Sequence, residues 1–563
     1  MILSDKAKID HYVDQGVWGS NTLDALFRKC VRTQPDDLAL VDAPNRTQFT
    51  VNEPKRLDYK ALNHAVERLA GTFIGLGLKR DDVVAVQMPN VVEQIVVVLA
   101  GMRAGLIISP LPIMWREHEL KTALPLIAPR AIITMSAHNF DHVDMMRNVA
   151  LHITTVRFVL AFGEDLPDGV MPLDEIFTES TDQLPEVDEE LANKLNANDV
   201  AIITWAGGDC AGPCPLPRSH NQLIAAGLMP MLEAGLAGGS IILSPYLLNG
   251  LVAFSVFFMP WLLSGGKLVL HHPFDIDVFA AQMREEQVNF TGLPPSVIDV
   301  IRSENIFDPA NDDTNLDAIA CIWPAPILPQ NAETRAAGLD VPVIDIRNLN
   351  EMVVVARKRQ TGARPALIPH GAFGVPYGGE QGPILINTRV KGSVSLNDTS
   401  ESLLGGDLLI ESPMMFDDYF PAAIDNAPQP ALVKEKQNYI NTGHRCMLTG
   451  GTDAMIEILA QDNNTIVHGG LWISAAELDQ LYAQYDQFSD AAAFSFADPV
   501  MGERIMAAVV PSPGVDIKLS DLTAYLEQQK VAAYKMPDRL VTVKAIPRGA
   551  NGEVLRDQVL EEI

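Results

Sequence analysis

The sequence predicts an α/β protein built on parallel sheet, and three observations carry that prediction. From about Leu57 helical periodicity alternates with short β-branched runs. Glycines and prolines from Thr361 to Gly382 mark a change to shorter β elements. A last stretch, from about Gln461 to Ile563, has a strand-and-helix pattern of its own. Strand–helix–strand units at this spacing imply parallel strands joined by right-handed crossovers.

Tyr59 to Leu76 reads as an amphipathic helix ended by Gly75 and Gly77. Asp82 to Met88 reads as a strand stopped by Pro89-Asn90, Val91 to Ala104 as a buried helix, and Leu106 to Ser109 as the next strand before Pro110. Ala131 to Thr134 and Val156 to Leu160 continue the series. Glu164 to Asp199 is acidic and reads as a surface excursion. In the last stretch, Ala491 to Ala497 and Ile505 to Val510 read as strands, and Leu519 to Gln529 as a helix.

Composition bounds the function. The 563 residues are 47% hydrophobic and 20% charged, enough for a sizeable core. Against 42 Lys and Arg stand 71 Asp and Glu, a net charge of −29 that argues against nucleic acid and anionic membrane surfaces as partners. Five cysteines make no disulfide framework and suggest a reducing cytoplasm. The opening residues show no signal peptide. The apolar run Leu247 to Leu263, interrupted by Asn249, Gly250, Ser255 and Pro260, is short of the ~20 residues of a spanning helix and reads as buried.

Several segments together resemble the adenylate-forming superfamily of acyl- and aryl-CoA ligases, luciferases and adenylation domains. They are Asp82 to Asn90, Ala100 to Gly105, Pro110 to Leu120, Phe274-Asp275 with Thr291 to Pro295, Gly406 to Tyr419, Val467 to Asp479, Asp498 to Glu503, and Tyr534-Lys535-Met536-Pro537. The resemblance implies a large multi-layered region over residues 1–462, with parallel-sheet subdomains and a β-rich subdomain. It also implies a small mobile α+β lid over 463–563, hinged near Asn463. The implied reaction joins a carboxylate to ATP, then passes the acyl group to a thiol such as CoA.

The residues that would perform it are altered. The family's phosphate loop is rich in Gly, Ser and Thr and carries a lysine, so that amides and hydroxyls can hold phosphate. Here it reads Ala206-Gly207-Gly208-Asp209-Cys210-Ala211-Gly212-Pro213-Cys214, without the hydroxyls or the lysine. Gly207, Gly208 and Gly212 remain as candidate phosphate contacts. The adenine and magnesium segment is Arg347-Asn348-Leu349-Asn350-Glu351, in which Glu351 is the candidate magnesium ligand, Asn350 a substitute donor and Arg347 a base or anion contact. The ribose-binding Thr-Gly-Asp is Thr442-Gly443-His444, and the lid's flexible Gly-Lys is Gly552-Glu553. Arg347 or His444 is expected to pair with a carboxylate. On the thiol side, Gly469, Gly470 and Trp472 border the implied pantetheine passage and Lys535 stands where a CoA phosphate contact is implied.

Three functions follow. The favoured one is a pseudoenzyme that binds an acyl or CoA ligand, with ATP-Mg binding weak or absent and a hydrophobic carboxylic acid of fatty acid metabolism as its acyl group. The second is an active but atypical acyl-CoA ligase, in which Glu351 is catalytic. The third is ATP-independent acyl transfer or thioester hydrolysis by Cys210 activated by His220. A small acyl or CoA ligand is the expected partner, with a protein partner or homodimer also open. The local Cys210, Cys214 and His220 set is too small for a metal site, and neither a GxGxxG fingerprint nor a serine nucleophile elbow occurs.

Overall fold

A computed structural model describes residues 1–178, 194–206, 212–304, 315–324, 332, 335–360, 365, 367–375, 382–395, 404–421, 438–449, 454–461, 465–469, 471–498, 501–548 and 554–556. The β-branched runs form the interiors of two large, mainly parallel sheets. The seven-stranded sheet has the order Val170–Pro172, Phe158–Phe162, Ala131–Met135, Val83–Val86, Ile107–Pro110, Val200–Ala206, Cys214–Ser219, and only its last pair is antiparallel. The eight-stranded sheet runs Val353–Lys358, Val343–Leu349, Ala318–Trp323, Phe290–Leu293, Ile241–Ser244, Lys267–Leu270, Leu38–Val41, Arg56–Asp58, with an antiparallel pair at each edge. Helices Tyr59–Gly75, Val92–Arg103 and His220–Ala234 share one apolar core with both sheets.

The expected helices and strands agree with the observed ones to within a few residues. The strand before Pro110 includes that proline, because it ends the ladder: Pro110 pairs with Val86, and the next amide, Leu111, donates to the Val86 carbonyl at 2.7 Å. The strand expected from Val156 begins at Phe158, since Val156 is still in a turn bonded to Ile153. The acidic stretch opens with an edge strand, Val170–Pro172, and its residues 179–193 lie outside the described ones.

The run from Leu247 becomes a buried helix from Leu251 to Ser264 with a π turn at Phe254–Phe258. At 1.5 Å per residue it is roughly 21 Å long, short of the ~30 Å of a hydrocarbon core. No helix among the described residues is long and apolar enough to cross a membrane.

Beyond Ile368 the sheet is antiparallel and six-stranded. Its strands Ile384–Ser395, Leu404–Glu411 and Ile440–Thr449 are longer than the short elements expected there, because each is zipped to a neighbour on both edges. The small C-terminal domain has a separate sheet of Leu471–Ser474, Thr465–His468, Gly502–Pro511, Phe488–Asp498 and Arg539–Thr542. Its core, with Leu478, Tyr482, Ala491, Val509 and Leu522, is distinct from those of the large sheets.

Candidate functional site

The site is built around one backbone turn. Strand Val343–Leu349 ends in Asn350 and Glu351, both in the left-handed region at φ +52° and +55°. Non-glycine residues hold that conformation only when local bonds compensate. Asn348 supplies two: its oxygen accepts from the Glu351 amide at 3.1 Å, and its side-chain amide donates to the Glu351 carboxylate. The other carboxylate oxygen accepts from the Leu251 amide at 2.7 Å, so Glu351 caps the helix that starts there. Gly250 lies alongside, where a Cβ would make ordinary contact at 3.4 Å with both carboxylate oxygens. Burial pushes the Glu351 carboxyl up from its ordinary range, opposed by the Leu251 amide, Asn348 and Arg218.

Beneath the turn lies Arg218, fully buried at the end of strand Cys214–Ser219. One terminal nitrogen donates to the Met414 carbonyl at 2.7 Å, the other to the carbonyls of Glu351 and, at 3.4 Å, Met352. Burial lowers its pKa to about 10, with Glu351 opposing. Asn350 donates to the Thr442 carbonyl at 2.6 Å, and the Thr442 hydroxyl lies 3.1 Å from Nδ1 of His444. Burial depresses His444 to a pKa of about 4, so the imidazole is uncharged at neutral pH and cannot be the cation expected to compensate a carboxylate. Arg347 is buried on the same strand.

The C-terminal domain closes the site. Lys535 is 3% exposed, with Nζ 2.6 Å from Glu477 and 3.3 Å from Glu119. Burial alone would lower its pKa, but Tyr534, Glu477 and Glu119 raise it. Between the domains remains a cleft of about 120 Å³. Trp115, Trp205, Pro112, Pro213 and Leu471 form its apolar walls, while Glu119, Glu351, Glu477 and Lys535 also border it. The two indoles meet edge to face, with ring centroids 5.3 Å apart.

Of the residues singled out in the sequence, Glu351 and Lys535 reach this cleft, and Asn350 and His444 are joined beside it through Thr442. Gly212 immediately precedes Pro213 in the cleft wall, and its own nearest neighbour would be Thr122. Gly469 bonds to the Met501 carbonyl within the C-terminal domain. His220 is engaged elsewhere: its Nδ1 accepts from the Leu23 amide at 3.2 Å, and burial lowers its pKa to about 4. Gly207, Gly208, Asp209, Cys210, Gly470 and Glu553 lie outside the described residues, as does the side chain of Trp472. Cys214 is disulfide-bonded, whereas Cys30, Cys321 and Cys446 are free and buried. Trp115, Glu119 and Glu477 lie within segments that carry the family resemblance but were not singled out there, and Arg218 lies outside them, because a tryptophan, two helical glutamates and an arginine in a strand look individually like ordinary packing.

Comparison with known proteins decides the family. The AMP-binding enzyme family matches residues 27–420, and the AMP-binding enzyme C-terminal domain matches 477–553. The chain belongs to the AMP-binding enzyme family. The chain is 24% identical over 555 residues to the 2-hydroxy-7-methoxy-5-methyl-1-naphthoate–CoA ligase of Streptomyces carzinostaticus, covering 96% of this chain and 93% of that one. It is 21% identical to the medium-chain fatty-acid–CoA ligase of Escherichia coli, covering 98% and 92%. Its fold matches o-succinylbenzoate CoA synthetase of Bacillus subtilis with a TM-score of 0.74 at 15% identity, over 96% of this chain and 99% of that one.

Family ligases use ATP, magnesium and CoA, and the loop residues 207–211 lie outside the described ones. A triphosphate needs cations and free N–H donors, but Lys535 is held between two carboxylates. Both oxygens of Glu351 already accept hydrogen bonds.

Proposed function

We propose that this member of the family holds an acyl, aryl or CoA ligand while its ATP-dependent adenylation is lost or strongly impaired. One observation carries the reading: Lys535, the cation that borders the described cleft, is already paired with Glu119 and Glu477, and the buried Glu351 borders the same cleft. At ~4 Å and an effective dielectric of ~20, a carboxylate and a phosphate oxygen repel by about 4 kcal/mol. The altered loop, with Cys214 where the family carries lysine, and the uncharged His444 where it carries aspartate, point the same way.

The apolar walls of the cleft support a hydrophobic acid as the acyl group, in keeping with the aryl and medium-chain acids in the names of the relatives. In this reading the chain divides at 462/463 and works in the cytoplasm. The cleft-lining Lys535 and the neighbouring strand Leu471–Ser474 serve the acyl or CoA ligand. Pyrophosphate exchange into ATP across a panel of aryl and fatty acids tests the reading. Turnover in the usual ~1–1,000 per second range with any acid overturns it.

A further inference from the structure

We infer that Glu119 latches the C-terminal domain onto the first turn of helix Glu117–Ile127 through Lys535, and so fixes the pose in which the cleft is closed. Glu119 is completely buried, and both its oxygens are engaged. Oε2 accepts from the Arg116 amide at 3.0 Å, which anchors the carboxylate in its own helix start. Oε1 faces the C-terminal domain, accepting from the Ala532 amide at 3.2 Å and lying 3.3 Å from Lys535 Nζ.

Lys535 arrives prepared. Glu477, on the C-terminal domain itself, stands 2.6 Å from the ammonium, so that pair exists whether or not the domain is docked. Docking adds the second carboxylate and the Ala532 bond. Around this centre, Tyr534 packs among the apolar side chains near Trp115, and Lys530 pairs with Glu117 at the rim, where the lysine is 61% exposed. Exposed pairs of that kind are screened and weak, whereas the buried one is screened little. The hold therefore resides in Glu119 and Lys535 rather than in the rim pair. Because Glu119 and Lys535 also border the cleft, releasing the domain opens the site.

The test is amide hydrogen exchange on the ligand-free protein, so its outcome does not depend on what the cleft binds or whether adenylation survives. Glu119→Ala and Lys535→Met each remove one half of the latch. In both variants residues 530–536 should exchange roughly tenfold faster or more, while Leu478, Leu481 and Ala491 to Ala493 keep their protection, as expected for a folded domain that has undocked. Lys530→Met should change the same segment less than about twofold. Unchanged exchange over 530–536 in Lys535→Met overturns the inference. So does acceleration of the whole C-terminal domain in both variants, since Glu119 and Lys535 would then serve folding rather than docking.

Discussion

The guanidinium of Arg218 donates to the main-chain carbonyl of Glu351, tying a buried cation to the one turn that shapes the cleft. The same side chain bonds the carbonyls of Met352 and Met414, so three segments distant in sequence meet on it. Removing it leaves three buried acceptors without that donor. Each such loss costs about 1–3 kcal/mol. Arg218→Met should therefore lower the unfolding free energy of the large domain by about 3 kcal/mol or more in denaturant titration. A loss below about 1 kcal/mol would mean that the turn holds itself.

Acid should destabilise the protein through its buried histidines. Burial lowers His142, His220 and His444 from 6.5 to about 4, with Arg116 adding to the effect at His142. Between these values the unfolded chain binds more protons than the folded one, so stability rises with pH and is lost as pH falls from ~6.5 towards 4. These three groups alone contribute about 4 kcal/mol per pH unit at most; His272, also lowered to about 4, adds to the slope, and Asp42, raised by burial to about 6, opposes it. Denaturant titration at stepped pH measures it, and His444→Gln should reduce the slope by about one proton.

Close packing of helix His220–Ala234 against Met259 depends on the absence of a side chain. A Cβ on Gly227 would stand 2.3 Å from the Met259 Cβ. Gly227→Ala should cost about 1–3 kcal/mol through overpacking, read as a lower thermal midpoint of the large domain. An unchanged midpoint would show that the helices can part without penalty.

The parallel-sheet architecture was legible because its signals are local. Val83–Val86 and Ile107–Pro110 are β-branched runs, and Tyr59–Gly75 shows its apolar face at helical spacing. Glu351 was legible in the same way, since its segment has a fixed order. The partners of these residues were not. Glu119 meets Lys535 across 416 positions, and Arg218 reaches Glu351 across 133, so no pattern within one element announces either pair. His444 could carry a charge as far as the sequence shows, and its burial is what holds it neutral well below pH 6.5.

Restoring a family lysine singly should not restore chemistry. Cys214 is 3% exposed in the edge strand and disulfide-bonded, so Cys214→Lys places an amine where the backbone is already packed. Glu553→Lys would add a cation but leave His444 neutral and Glu119, Glu351 and Glu477 in place. Both variants should exchange pyrophosphate into ATP no faster than the unmodified protein. A gain of a hundredfold or more, about 2.7 kcal/mol of barrier, would show that one missing cation was the only defect.

The repulsive cleft is tested most directly by calorimetry of the unmodified protein with ATP-Mg. A Lys535 committed to Glu119 and Glu477, in a cleft that Glu351 also borders, predicts a dissociation constant in the millimolar range or weaker, about −4 kcal/mol of binding free energy or less favourable. Micromolar affinity, about −8 kcal/mol, would contradict the account and mean that the nucleotide site has been rebuilt rather than lost.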